Sequence, residues 1–143
     1  MSTVRLGING FGRIGRLTMR STFTSQKGVG QVVAINDPFQ TKDYIAYLLK
    51  YDSVHGRFPG TIEVHDQGIV VNGTLVKVYH ETDPSKIPWG DNGAEYIAES
   101  TGVFLTDEKA SAHLKSGAKK VILSAPPKDN TPILVCGVNH QIY

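Results

Sequence analysis

Residues 4–15 read VRLGINGFGRIG. Val4, Leu6 and Ile8 alternate with Arg5 and Gly7, the period of a half-buried strand. Gly10, Gly12 and Gly15 then form a G-x-G-x-x-G, and a helical pattern follows at once. Each glycine has its own physical task. Gly10 permits the tight turn out of the strand. Gly12 has no Cβ, so an anionic group can approach the backbone. Gly15 lets the helix pack against the strand. Glycines also cluster in ordinary turns, so the motif needs its surroundings: a strand before it, a helix after it, and an acid at the end of the next strand.

The surroundings are present. Val32-Val33-Ala34-Ile35 is a continuous apolar run, the mark of a strand covered on both faces, and it ends at Asn36-Asp37-Pro38. Pro38 keeps Asp37 out of the α region, so the acid sits at a strand-to-loop exit. A carboxylate there can accept both hydrogens of a ribose diol and would repel a 2′-phosphate, which favours NAD over NADP. The following helix presents open N–H groups and its positive dipole end to a pyrophosphate.

Outward from this unit, the chain alternates strands and helices. Arg13 to about Phe23 reads as a helix with Ile14 and Leu17 inward, closed by Gly28 and Gly30. Thr41 caps a second helix with Asp43 in its first turn and Ile45, Leu48 and Leu49 on its inner face. Residues 52–59 read as a loop. From residue 61 to 79 the period becomes two, with turns at Asp66-Gln67-Gly68 and Asn72-Gly73, a small antiparallel insertion. Asp83 and Pro84 open a short helix that ends at Trp89-Gly90. Tyr96-Ile97-Ala98 is a strand with Glu99-Ser100-Thr101-Gly102 at its carboxyl end. Thr106 caps a helix closed by Lys115 and Gly117. Val121-Ile122-Leu123 and Ile133-Leu134-Val135 are the last strands. The expected fold is α/β, a Rossmann-type, doubly wound, mostly parallel sheet, whose ligands bind outside the carboxyl ends of the strands.

Composition bounds the rest. The chain has 143 residues, 40% hydrophobic and 20% charged, enough for one domain with its own core. A net charge of +2 is too small to argue for a nucleic-acid or membrane partner, and Lys119-Lys120 is the only basic doublet. No stretch is long and apolar enough to span a membrane, and the first residues lack a signal peptide's charged and apolar regions. A single cysteine suits a reducing compartment, so a cytoplasmic protein is expected.

INGFGRIGR, AINDP, YDSVHG, DPSKIPWG, AEYIAESTGVF, GAKKVILSAP and GVNH occur in this order. Together they resemble the amino-terminal half of the phosphorylating, NAD-dependent glyceraldehyde-3-phosphate dehydrogenases of glycolysis, over essentially the whole chain. The resemblance implies oxidation of glyceraldehyde 3-phosphate with phosphate and NAD to 1,3-bisphosphoglycerate and NADH, in a homotetramer. It implies an NAD site of Asn9, Gly10, Phe11, Gly12, Arg13, Ile14, Gly15, Asn36 and Asp37, in which the backbone N–H groups of Arg13 and Ile14 meet the pyrophosphate. Thr82 stands on the adenine side, where the family often has arginine, so a backbone contact is implied and a guanidinium one is not. Ser100, Thr101, Gly102 and Phe104 would line the path to the nicotinamide, and Ser124 and Ala125 would approach its end. Without the resemblance, Thr101 and Ser124 read as simple strand-end hydroxyls.

Cys136 follows an apolar run and is expected to be a small buried hydrophobe, not a nucleophile. The family's nucleophile and base lie downstream of GVNH, and this chain stops at Tyr143. The five histidines, at 55, 65, 80, 113 and 140, show no metal-ligand spacing, and His113 is expected on a helix surface. The expectation is therefore one NAD-binding domain over residues 1–143, inactive alone, and a piece of a longer enzyme. A natural short NAD-binding or interaction module, or a related sugar-phosphate dehydrogenase, are the other readings.

Overall fold

In the computed structural model, which describes residues 3–25, 28 and 30–143, the opening strand β1 (Val4–Asn9) lies inside a seven-stranded sheet. It turns through residues 10–12 into α1 (Arg13–Thr24), followed by β2 (Gly30–Asn36) and α2 (Lys42–Lys50). A small ribbon of β3 (Tyr51–Asp52) and β4 (Gly56–Arg57) precedes β5 (Ile62–His65), β6 (Gly68–Val71) and β7 (Thr74–Tyr79). Then come β8 (Tyr96–Glu99), the short helices α3 (Asp107–Ala110) and α4 (Ala112–Lys115), and β9 (Lys120–Leu123).

The sheet order is β5-β6-β7-β2-β1-β8-β9. β7, β2, β1, β8 and β9 run parallel, and β5 and β6 join antiparallel. This is the doubly wound α/β architecture that the alternation predicts. The antiparallel insertion is not a separate layer, because β7 pairs in parallel with β2 and extends the main sheet. The chain builds outward from β1 through β2 to β7, then returns to β8 on the other side. The strand order therefore reverses beside β1, and a crevice opens there at the carboxyl ends.

Two cores cover the two faces. One gathers Ile8, Phe11, Met19, Val32, Ile35, Ile45, Leu49 and Phe58; the other gathers Val33, Ala34, Ile87, Trp89, Ala94 and Ile97. A bulge assigns the β2 residues. Leu6 pairs with Val32 but Gly7 with Ala34, so Val33 is an extra residue, and Val32 and Ile35 share a face despite being three apart.

Several expectations need correction. The buried residues of α1 are Gly15, Met19 and Arg20, while Ile14 is 49% exposed. Gly15 sets the phase of the helix: a Cβ there would stand 2.1 Å from the Gly10 carbonyl oxygen, so this residue must face the turn. Its neighbours at four-residue spacing, Met19 and Phe23, then face the core. α1 ends at Thr24 with Ser25 as its cap, and Gly30 instead begins β2. On α2, Ile45, Ala46 and Leu49 are buried and Thr41 accepts from the Tyr44 N–H as its cap. Residues 52–59 are not a plain loop but contain the β3–β4 ribbon. The segment opened by Asp83 is a single 3-10 turn, Pro84–Lys86, and a second, Gly90–Asn92, follows Trp89. The helix capped by Thr106 is broken at Ser111 into α3 and α4.

Residues 133–135 form no strand: among the described residues no strand pairs with them, and Ile133, Leu134 and Val135 are exposed. Cys136 is consequently exposed rather than buried. His113 is fully buried rather than on a helix surface.

Candidate functional site

β1 delivers Asn9 to the carboxyl edge of the sheet, and the chain reverses at Gly10, whose φ of 89° is a left-handed conformation open to glycine. The Gly10 N–H donates to the Asn36 carbonyl at 2.8 Å, tying the turn to the end of β2. A Cβ on Gly10 would stand 2.8 Å from the Ser100 carbonyl carbon and the Thr101 nitrogen, so the exit of β8 packs directly on this turn. A Cβ on Gly12 would meet nothing within 4 Å: the space beside it is open, as an approaching phosphate requires.

Gly12 is the N-cap of α1 and no side chain caps the helix. The N–H groups of its first turn, Arg13 and Ile14 among them, form the positive end of the dipole, and that turn holds no acidic residue. The Arg13 guanidinium turns away to the Asp52 carboxylate. Asp52 also accepts from the N–H groups of His55 and Val54. The His55 N–H above all, with Val54 and Arg13, lowers the Asp52 pKa to about 2. The ribbon β3–β4 is thus moored to the glycine turn, a task that sequence spacing did not reveal for YDSVHG.

Asp37 leaves β2 with only 7% exposure. Its Oδ2 accepts from the Phe11 N–H at 2.9 Å and its Oδ1 from the Phe39 N–H at 3.0 Å. Both oxygens keep a further lone pair. At the far side, Ser100 and Thr101 follow β8, and Phe104 stands beyond them.

These groups surround a cleft of about 380 Å³, within the range of small-molecule sites. Asn9, Gly10, Gly12, Asn36, Asp37, Thr82, Ser100, Thr101 and Phe104 line it. Phe11, Arg13, Ile14, Gly15, Gly102, Ser124 and Ala125 do not. Phe11 is fully buried beneath the turn, and Ser124 is bound to the Glu99 carbonyl through both its N–H and its hydroxyl. The walls also include Pro38, Phe39, Gln40, Glu81, Pro84, Ile87 and Val103, which motif spacing did not single out. Phe39 is 91% exposed beside the proline, a signal that a sequence cannot separate from an ordinary surface aromatic.

The residues present fit a dinucleotide. Among the described residues, the buried Ser100 Oγ and Gln40 Oε1 have no hydrogen-bond partner, and both residues line the cleft. Polar atoms so placed are satisfied by a ligand's hydroxyl, amide or phosphate groups. The cleft crosses β2, β1 and β8 in that order, with a carboxylate at one end, an uncapped helix terminus in the middle and an unpaired hydroxyl at the other. Such a site at the switch point of a doubly wound sheet defines a dinucleotide-binding domain of the Rossmann class.

Comparison with known proteins agrees. Residues 4–107 match the family described as the glyceraldehyde 3-phosphate dehydrogenase NAD binding domain. The chain belongs to the glyceraldehyde-3-phosphate dehydrogenase family and carries its NAD-binding domain. It is 59% identical over 143 residues to a glyceraldehyde-3-phosphate dehydrogenase of Aspergillus oryzae, covering 100% of this chain and 41% of the relative. It is 61% identical over 140 residues to glyceraldehyde-3-phosphate dehydrogenase 1 of Mucor circinelloides f. lusitanicus, covering 98% and 41%. To glyceraldehyde-3-phosphate dehydrogenase 2 of Agaricus bisporus it is 58% identical over 140 residues, covering 98% and 40%. The chain thus spans about two-fifths of the length of the curated relatives it matches. Among the described residues, no helix is long and apolar enough to cross a membrane.

Proposed function

We propose that this chain is the NAD-holding half of an enzyme that converts glyceraldehyde 3-phosphate, phosphate and NAD to 1,3-bisphosphoglycerate and NADH. The observation that supports it is the cleft across β2, β1 and β8, with Asp37 at one end and the unpaired Ser100 hydroxyl at the other. NAD, when bound, supplies the hydride acceptor. Asp37 accepts the adenosine ribose hydroxyls. The turn from Asn9 to Gly15, Phe11 included, brings the Arg13 and Ile14 N–H groups to the pyrophosphate. Asn36 and Thr82 close the adenine side. Ser100, Thr101, Gly102 and Phe104 guide the chain of the cofactor toward the nicotinamide, and Ser124 and Ala125 bound that end.

Residues 1–143 act as one NAD-binding unit, and the nucleophile, base and substrate-phosphate site come from outside them. Cys136 takes no part in the chemistry. The working enzyme is a cytoplasmic homotetramer. Calorimetric titration of the protein as its source makes it should show NAD binding and far weaker NADP binding; equal affinity would refute the Asp37 assignment. Residues 1–143 alone should yield no NADH from glyceraldehyde 3-phosphate and phosphate. Phosphate-dependent NADH production from them would overturn the division of labour.

A further inference from the structure

The last residues of three neighbouring strands form one polar row. Asn36 of β2 pairs with Asn9 of β1, and Asn9 pairs with Glu99 of β8, all at the carboxyl edge. The three side chains are 1%, 2% and 1% exposed. They form a continuous chain of hydrogen bonds. Asn36 Nδ2 donates to Asn9 Oδ1 at 2.8 Å, and Asn9 Nδ2 donates to Glu99 Oε2 at 2.7 Å. His113 Nε2 meets the same oxygen at 2.7 Å, and Trp89 Nε1 donates to His113 Nδ1 at 2.9 Å. Glu99 Oε1 accepts from the Thr101 N–H at 2.9 Å and from its hydroxyl at 2.5 Å.

The direction of this chain is fixed at both ends by groups that cannot reverse. At one end the Glu81 N–H donates to Asn36 Oδ1 and the Glu81 carbonyl accepts from Asn36 Nδ2, which settles how both asparagine amides point. At the other end the indole N–H can only donate. His113 must therefore accept at Nδ1 and donate from Nε2. Its ring proton sits on Nε2, and Glu99 receives three fixed donors, from Asn9, His113 and the Thr101 N–H, with the Thr101 hydroxyl as a fourth contact, the surroundings of a carboxylate acceptor. Burial by itself would raise the Glu99 pKa. The hydrogen bonds from His113, Thr101 and Asn9 outweigh it and hold the carboxyl below its usual range.

We propose that Glu99 is a positioning residue for the cofactor, an ionised acceptor that fixes Thr101 and Asn9 and is completed by the His113 donor. Its consequence runs through the backbone. Ser100 and Thr101 pack against the position where Gly10 lacks a Cβ, so the carboxylate that grips Thr101 also sets the wall facing the glycine turn. The unpaired Ser100 hydroxyl is carried on the same wall. Strand order puts this wall on the β8 side of the switch point, whereas Asp37 is on the β2 side. Glu99 and His113 therefore act mainly on the half of the dinucleotide beyond the pyrophosphate; on the adenosine half stand Asp37 and Asn36, the latter pinned on its own by the Glu81 backbone.

The inference rests on the NAD reading above, and its test separates the two. NAD and AMP are titrated calorimetrically into the protein as its source makes it and into Glu99→Gln, His113→Leu and His113→Gln variants. In either orientation of its amide, Gln at position 99 turns a donor toward a donor, at Thr101 or at the pinned Asn9 and His113 pair. Leu at 113 removes the donor, whereas Gln at 113 keeps one donor and one acceptor. Glu99→Gln and His113→Leu should weaken NAD about tenfold, the size of one buried group left unmatched, and AMP less than about twofold by the same measure. His113→Gln should recover most of the loss. Unchanged NAD affinity in folded variants, an equal loss for AMP, or a Gln variant no better than Leu overturns the proposal. If the unsubstituted protein binds no NAD, the underlying reading fails instead. Neutron diffraction from the unsubstituted protein tests the same point without a variant. It should place a deuteron on His113 Nε2 and none on His113 Nδ1 or Glu99; a deuteron on either of the latter overturns the proposal.

Discussion

Asp37 is oriented before any ligand arrives. Its two oxygens each hold a backbone N–H, from Phe11 and Phe39, so the carboxylate plane is fixed by the turns on either side. The remaining lone pairs can take two further donors without moving the side chain, which is preorganisation for a vicinal diol. Asp37→Ala should lower NAD affinity about ten- to a hundredfold, as expected for two charge-assisted hydrogen bonds. It should lower the melting temperature as well, because two N–H groups lose their acceptor. Calorimetry and a thermal melt on one preparation read both effects, and unchanged affinity would refute the role. Asp52 gives a pH prediction. Its folded pKa of about 2 lies below the unfolded value of about 3.9. Its contribution to stability is therefore complete above pH ~4 and is lost as pH falls toward 2. Urea unfolding across this range should show the stability difference between the unsubstituted protein and Asp52→Asn shrinking as pH falls; a constant difference would contradict it. Asp37 and the glycines were legible in the sequence because their meaning is local: strand, turn, helix, acid. His113 was not. Its burial depends on Trp89 and Glu99, which no period within a four-residue helix reveals.

At the scale of elements, the glycine turn and β8 behave as one piece. A Cβ at Gly10 would stand against the Ser100 and Thr101 backbone, and the φ of 89° is itself unfavourable for alanine. Gly10→Ala should destabilise the fold by roughly 2 kcal/mol or more, from backbone strain and overpacking together. Gly12→Ala should cost far less stability, since its Cβ would enter open space, yet it should weaken NAD where the phosphate must approach. Denaturant midpoints with NAD titration check the pair, and equal stability losses would sink the contrast. The parallel strands and the hairpins were readable from apolar runs and turn residues, because a strand between two others must be apolar on both faces. The phase of α1 is not legible in its apolar content. Apolar content pointed to Ile14 and Leu17, but the contact of Gly15 with the turn rotates the helix so that Met19 and Phe23 face inward. Residues 133–135 show the opposite failure: the run is β-prone, yet its backbone is held locally by Asn139, whose Oδ1 accepts from the Val135 N–H and whose Nδ2 donates to the Ile133 carbonyl, and it does not join the sheet.

At the scale of the whole molecule, apolar side chains are exposed on β9 and along the last residues. β9 is the last strand of the sheet, with one edge unpaired and Ile122 53% exposed. Near the carboxyl end, Ile133, Leu134, Val135, Val138, Ile142 and Tyr143 are all exposed. An open edge and a run of exposed aliphatic side chains each promote association with further protein, and here one chain carries both. A polypeptide of residues 1–143 should therefore self-associate. Its weight-average mass in sedimentation velocity should rise with concentration, and Ile133→Ser with Val135→Ser should suppress the rise. Cys136, exposed in the same stretch, supplies an independent reading. Its alkylation by a maleimide should be fast in dilute solution and should slow as the association proceeds, because the thiol lies within the surface that becomes covered. A strictly monomeric species across the micromolar range would refute the association. A Cys136 rate that is independent of concentration while the mass rises would place the contact elsewhere on the molecule.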